Sequence, residues 1–475
     1  MKEPSPPKLW PVFLVTSLGA FLVSLDLSIV NVAFPALMHA FPGTSRAALS
    51  WVVTAYSIVF GSLLVIGGRT GDRLGLRNVF FAGLATFTVG SALCGAAPNV
   101  PLLIAGRVLQ GIGAAFLLPA SVGLLLAAVQ PEKRSQIVAL WGGVGALAVA
   151  TGPSLGSVLV AGPGWRSAFY VNLPFGLLAY LWGRKVLPTP AAQSGVVSAR
   201  PDYFGAVLLS SALGALTLAI SEWQGHGVTH PLVWGSLVLS PLLAAAFIYR
   251  TAKHPAPVLD LALFRAATFR VANLATLAYA MAFFAMLLGN ILFLTEVWHY
   301  SITRAGLAVT PGPLVVAVVS GFAGRAAARF GFRAVLLPGS VFFAAALLWF
   351  ALCVGAEPAY LAEWLPGTLV MGLGIGLTFP VLSAAAVSSL PPERFGVGSA
   401  VNQTARQVGG AIGIAILVAI LGEPNTQSSA LHAFQNMWLY AASMATLSGL
   451  IALGLKRPSA AAGSSAAPAH VARAS

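Results

Sequence analysis

Apolar runs longer than 18 residues recur along this 475-residue chain, and no other feature restricts its fold so strongly. As a helix, a run of that length spans the roughly 30 Å of a bilayer's hydrocarbon core. The core elements of a soluble protein need apolar runs of only about 4–15 residues. Charged residues make up 8% of the chain and hydrophobic ones 58%, whereas soluble domains carry roughly 25% charged residues. With a mean hydropathy of +0.86, the expected class is an all-α polytopic membrane protein. Fourteen spans are expected, at residues 10–35, 46–66, 78–97, 102–129, 135–160, 167–186, 203–223, 231–251, 268–297, 304–323, 334–354, 361–388, 396–421 and 433–455.

Between the second and third spans lies a short charged stretch, Gly67–Arg77, GGRTGDRLGLR. A close copy returns at Gly324–Arg333, GRAAARFGFR, in which Gly68, Arg69, Arg73, Gly75 and Arg77 have their counterparts in Gly324, Arg325, Arg329, Gly331 and Arg333. Two copies between two pairs of spans indicate two related halves, the common plan of secondary transporters. The expected organisation is a short N-terminus (1–9), a six-helix half (10–186), a Pro/Ser/Ala-rich linker (187–202) and an inserted two-helix hairpin (203–251). A second linker (252–267), the second six-helix half (268–455) and a disordered Ala/Ser-rich tail (456–475) complete it.

The net charge of +14 raises nucleic acid as a partner, but its placement argues against that. With the N-terminus inside, the outer segments hold only Arg46, Arg166 and Arg304, Arg107 and Arg406 fall within spans, and every other Lys and Arg is inside. This is the positive-inside asymmetry, and it predicts cytoplasmic termini. Cys94 and Cys353 fall within spans, far from any CxxC spacing, and read as two buried, unreactive thiols. The first run lacks a cleavage site and carries Asp26 and Asn31, so it reads as a retained span.

Polar residues inside spans are the candidate site. Asp26 lies about 22 Å along the first helix from Trp10; a carboxylate there costs roughly 2.5–3.5 kcal/mol on insertion scales, a cost that a proton or a cationic partner would relieve. In span four, Arg107 and Gln110 share one helical face. Arg107 needs an acceptor, and Asp26, Asp72 or backbone carbonyls are candidates. Gly71, Asp72 and the basic residues of the first charged stretch read as a gating latch at the helix ends. Gly152, Pro153 and Gly156 in span five read as a hinge or a seal between halves. Glu222, Asn290 and Glu296 are further polar candidates. Asn402, Gln403, Arg406 and Gln407 lie in the inner third of span thirteen, with Arg406 close enough to snorkel to the interface. Glu222, His226 and His230 on one short loop make an interfacial cluster, not a metal site.

GxxxxGK[ST], HExxH and GxSxG are all absent, and GLGIG at 372–376 lies in a span without the strand and acidic partner of a dinucleotide site. No cofactor, metal or enzymatic activity is expected. Without an ATP motif, energy would come from an ion gradient, or the protein would facilitate diffusion.

Taken together, these residues resemble the major facilitator superfamily, and within it the fourteen-span drug:proton antiporters of the QacA/EmrB-like branch. Leu25–Pro35 (LDLSIVNVAFP) is similar to that branch's first-span motif, Gly68–Arg77 to the superfamily loop motif, and Arg107–Gly113 to its RxxQGxG. Gly145–Gly156 resembles the antiporter motif, Trp165–Pro174 the following WRxxFxxNxP, and Asn402–Gly413 the NxxRQxGGAxG stretch. Leu76, Ser157 and Ala328 depart from the pattern. The resemblance implies a membrane-embedded acid at Asp26 linked to protons, a latch at Asp72 and Arg73, and a proton-transfer arginine at Arg107. It also implies an inner-membrane antiporter that exports amphipathic drugs or toxic small molecules by alternating access. The expected partners are protons, a small-molecule substrate and the bilayer, with no nucleic acid and a monomer as the working unit. The alternatives are a dedicated exporter of one metabolite or antibiotic, or a uniporter; the lack of a nucleophile or soluble domain disfavours a receptor or enzyme.

Overall fold

The computed structural model describes residues 9–130, 133–188, 200–227, 229–391, 394–424 and 426–455; for residues 135, 136, 139, 146, 224 and 226 it describes only the backbone. The expected N-terminal segment before Leu9, most of the 187–202 linker and the tail from 456 lie outside these residues.

The first half comprises α1 (Leu9–Ala40), α2 (Arg46–Leu74), α3 (Leu76–Ala96), α4 (Val100–Ala127), α5 (Arg134–Ala161), the short α6 (Ser167–Tyr170) and α7 (Asn172–Val186). A hairpin of α8 (Tyr203–His226) and α9 (Pro231–Lys253) follows. The second half comprises α10 (Ala267–Glu296), α11 (Ile302–Val309), α12 (Pro311–Phe330), α13 (Phe332–Cys353), α14 (Leu365–Val387), α15 (Phe395–Leu421) and α16 (Gln427–Ala452). Helices occupy all fourteen expected positions, but among the described residues only 12 are long and apolar enough to cross a membrane. The exceptions are α7, with 15 residues, and α16, which opens on the polar Gln427, Ser428, Ser429, His432, Gln435 and Asn436.

The expected charged loop is almost entirely helical. α2 runs on to Leu74, α3 starts at Leu76, and the turn is one residue, Gly75, at φ +89°. Its counterpart Gly331, between α12 and α13, has the same φ of +89°. Only glycine adopts that backbone cheaply, which is why the repeat keeps it. The resulting helix pairs pack alike. A Cβ on Gly113 of α4 would lie 2.4 Å from the Phe87 backbone nitrogen, and one on Gly374 of α14 would lie 2.5 Å from that of Phe343. Phe87 and Phe343 stand at the same distance from the two copies of the repeat. Gly113→Ala or Gly374→Ala is therefore expected to cost about 1–3 kcal/mol through overpacking. Gly142→Ala and Gly321→Ala, inside helices and with nothing within 4 Å of the added carbon, should instead be neutral to stabilising, by up to about 1 kcal/mol. Unfolding in nanodiscs checks both pairs.

The halves meet along two seams. On one, α2 packs against α15, with Gly61 facing Gln407 and Thr404 donating to the Gly61 carbonyl at 2.8 Å. On the other, α5 packs against α11 and α12, and α1 packs against α10. α8 leans on both α2 and α15 and so covers the first seam; Leu213 packs there with Ile58 and Ala411. Arg250 and Asp202, paired at 2.5 Å, tie the ends of the hairpin together.

Candidate functional site

Deep in the first half, polar groups of five helices converge on one point, side chains from four of them and a backbone carbonyl from α2. Arg107 of α4 donates through Nη1 to Asp26 Oδ2 of α1 at 2.6 Å and to Gln110 Oε1 at 2.8 Å, and through Nε to the Val52 carbonyl of α2 at 2.7 Å. Gln110 Nε2 donates to Asp26 Oδ1 at 3.1 Å and to Ser91 Oγ of α3 at 2.5 Å. Asn172, the first residue of α7, donates to the same Asp26 oxygen at 3.2 Å and to Ser91 Oγ at 3.0 Å. Cys94 closes the network with an S–H bond to Gln110 Oε1 at 3.3 Å, and the Arg107 guanidinium lies 4.2 Å from the Tyr56 ring centroid. Asp26, Arg107 and Gln110 are all 0% exposed. One buried carboxylate thus receives three donors from three residues, which is how an ion pair is held in a low-dielectric interior.

Local sequence explains the convergence. Glycines let the helices close in: a Cβ on Gly111 would lie 2.9 Å from the Tyr56 carbonyl, and one on Gly90 would lie 2.8 Å from the Gln110 backbone nitrogen. Arg107 and Gln110, one turn apart, then both face α1.

Of the three acceptors considered for Arg107, two are used, Asp26 and a backbone carbonyl; Asp72 is exposed at the end of α2. In the sequence Asn172 stands out only within the Trp165–Pro174 resemblance, whose NxP was a signal. Ser91, a lone serine in an apolar run, carried none. Other expected site residues lie elsewhere. Asn31 donates to the Leu27 carbonyl of its own helix at 2.6 Å. Asn290 accepts from Trp438 Nε1 at 2.9 Å, and Asn402 donates to Asn273 and Thr276. Glu222 lies near the end of α8, away from the network. Arg406 does not snorkel: its guanidinium lies over Phe379, 3.7 Å from the ring centroid. Cys94 is buried as expected, but Cys353, the last residue of α13, is exposed. No group of His, Cys, Asp and Glu among the described residues could hold a metal ion.

The seams carry the remaining candidates. A Cβ on Gly152 would lie 2.4 Å from that of Ser28, and Gly156 packs on Ile29, so α1 and α5 are closely fitted. On its other side α5 meets the second half: the Pro153 carbonyl and Ser157 lie against Gly306 of α11, and Ser154 and Thr310 share a 2.7 Å hydroxyl bond. At that same end Arg46 forms a two-point ion pair with Glu296, at 3.0 and 3.1 Å, bridging α2 and α10. At the opposite, basic end Arg69 ties α2 to the linker that follows the hairpin, donating to the Pro257 carbonyl at 2.6 Å. Asp72 and Arg73 are exposed. Gly68 has only Pro119 near it, whereas a side chain on Gly71 would meet Leu76. Arg77 donates to the Arg184 carbonyl at 3.0 Å. Towards the basic ends of α5 and α12, an added carbon on Gly142, Gly143, Gly321 or Gly324 would meet nothing within 4 Å.

Two related halves of long apolar helices around a buried charge network are the architecture of a multi-pass membrane transporter. The sequence profile of the Major Facilitator Superfamily matches residues 16–414, and again 272–474. The chain belongs to that superfamily, and is a transporter, not an enzyme. It is 32% identical over 415 residues to "Multidrug resistance protein B homolog" of Mycobacterium tuberculosis, covering 86% of this chain and 75% of that one. It is 30% identical over 417 residues to "Tetracenomycin C resistance and export protein" of Streptomyces glaucescens, covering 87% and 76%. Its fold is similar to that of a solved D-xylose-proton symporter, with a TM-score of 0.67 at 14% identity over 94% of this chain and 97% of the other.

Proposed function

We propose that this protein is a proton-coupled exporter of amphipathic drugs or toxic small molecules, of the fourteen-span antiporter type. It would work by alternating access in a bacterial plasma membrane, with both termini cytoplasmic. The observation that carries the reading is the Asp26–Arg107 pair, a titratable acid sealed at mid-membrane in the half that the α1–α5 fit connects to the second seam. Drug export is supported by relatives named for multidrug resistance and for antibiotic export.

The side chains give the coupling a route. A proton on Asp26 Oδ2 removes the charge that holds Nη1 of Arg107, while Val52 and Gln110 keep the guanidinium in place. α1 is then less firmly held to α4. Because α1 is fitted to α5 at Gly152 and Gly156, its movement is passed to Pro153 and Ser154, and so to α11 of the other half. Substrate release to the outside would follow parting of that contact and of Arg46–Glu296.

A second reading, a dedicated exporter of one antibiotic, is favoured by the single-compound name of the tetracenomycin relative. Dye-reported proton movement in energised inside-out vesicles tests the coupling. Adding a transported compound should release protons in wild type, and Asp26→Asn should reduce the release at least about tenfold with expression unchanged. Undiminished release from Asp26→Asn would overturn the assignment of the proton to this network. A response to one compound alone would favour the dedicated exporter.

A further inference from the structure

Arg406 is the second intramembrane arginine, and its surroundings differ from those of Arg107. It is the twelfth residue of α15, which starts at Phe395, and so lies about 16 Å from that end, near mid-membrane. Among the described residues no carboxylate is paired with it. Among the described residues its one hydrogen bond is a long one, from Nη1 to Gln403 Oε1 at 3.5 Å. The guanidinium lies against Phe379 of α14, whose ring packs on Phe283 at 4.8 Å and on Tyr279 at 5.1 Å, both on α10. Unlike Arg107, it is only partly buried.

The position of this pocket matters. Ser399, Gln403 and Arg406 share one face of α15, and Ser399 and Gln403 are also at least partly exposed. α10 packs on α1 and α15 packs on α2, so the pocket framed by α10, α14 and α15 lies where the two halves face each other. The Asp26–Arg107 pair is self-compensating, whereas Arg406 carries a charge that no carboxylate among the described residues balances. A cation–π contact offsets only part of the cost of a charge at this depth. A planar donor fork over an aromatic ring, with N–H groups left without protein acceptors, matches a planar acidic oxygen pair or its one-oxygen analogue.

Resting on the export reading, we propose that Arg406 is the substrate-recognition residue. Its guanidinium binds the acidic oxygen of an aromatic weak acid (a carboxylate, phenolate or enolate), while the substrate's ring packs against Phe283, which is partly exposed beside the buried Phe379. Lipophilic cations are excluded by the same charge.

The test uses matched aromatic pairs, 9-anthracenecarboxylate and 1-pyrenebutyrate with their methyl esters. Binding is measured by fluorescence on the full chain in nanodiscs, and flux in proteoliposomes. Wild type should bind each acid about tenfold or more tightly than its ester, the scale of one charge-assisted hydrogen bond. Arg406→Gln should abolish that preference and leave ester binding within about twofold. Arg406→Lys should keep part of the preference, because an ammonium supplies charge without the fork. Equal binding of acid and ester by wild type, or a preference that survives in Arg406→Gln, overturns the proposal. So does an equal loss of acid and ester binding in both variants, which marks a purely structural arginine. Export of esters without any acid preference defeats this proposal but not the export reading; no flux of either defeats both.

Discussion

Arg107→Leu should cost about 3–5 kcal/mol of stability, because it strands the Asp26 carboxylate in a fully buried site. Gln110 and Asn172 would remain as donors to it, at 3.1 and 3.2 Å, but neither carries a balancing charge. The Val52 carbonyl would also lose its side-chain donor. Adding Asp26→Asn to Arg107→Leu removes the stranded charge and should recover most of the loss, since removing both partners of a buried pair is often close to neutral. Unfolding of wild type, both single variants and the double variant in nanodiscs gives the coupling energy directly. If Arg107→Leu alone unfolds like wild type, the network is not what holds α1, α2 and α4 together. The double variant also separates fold from function: it should be stable and should not couple transport to protons.

The second large effect is expected at the seam between halves. Gly306→Leu would place a Cβ 2.4 Å from that of Ser157 and 2.6 Å from the Pro153 carbonyl, and the rest of the side chain has nowhere to go. Because the obstruction lies between two bodies that are expected to separate, α11 should leave α5 while each half stays intact. The 2.7 Å Ser154–Thr310 bond would break with it. A shift of a two-state equilibrium by about 3 kcal/mol changes its ratio more than 100-fold, so the variant should be held open at this end. Modification of Thr310→Cys by a membrane-impermeant maleimide, in a background without Cys94 and Cys353, should be slow with Gly306 and fast with leucine. Equal rates would mean that this contact is not the seal. Transport should be lost in the leucine variant, because a carrier held in one state cannot complete a cycle.

Much of the candidate site was legible in the sequence, for identifiable reasons. Asp26, Arg107 and Gln110 stood out because polar groups are costly within apolar runs, and Gly152, Pro153 and Gly156 because small residues and proline mark close contacts. Their partners were not legible. Glu296 read only as a further polar candidate, and the structure pairs it with Arg46, far away in the chain. The latch reading centred on Asp72 and Arg73, which are exposed, while Arg69 on another face of the same helix end reaches the Pro257 carbonyl of the second linker. The loop around Gly75 was drawn too long because charges and glycines read as a break, although α2 and α3 tolerate all of them except Gly75.

The sequence alone determined that the chain lives in a membrane, that it has two related halves, and that its positive charge gathers at one end. These are properties of length and composition, independent of which helix touches which. Only the tertiary structure decided that Asn172 and Ser91 complete the Asp26 network, that α8 covers the α2–α15 seam, and that Arg406 faces an aromatic pocket without an acid. In a soluble helix a polar stripe marks the face turned to water and thereby fixes its rotation. Here the lipid and the protein interior are both apolar, so the apolar faces of a span look alike in sequence, and close packing sets each helix's rotation and neighbours.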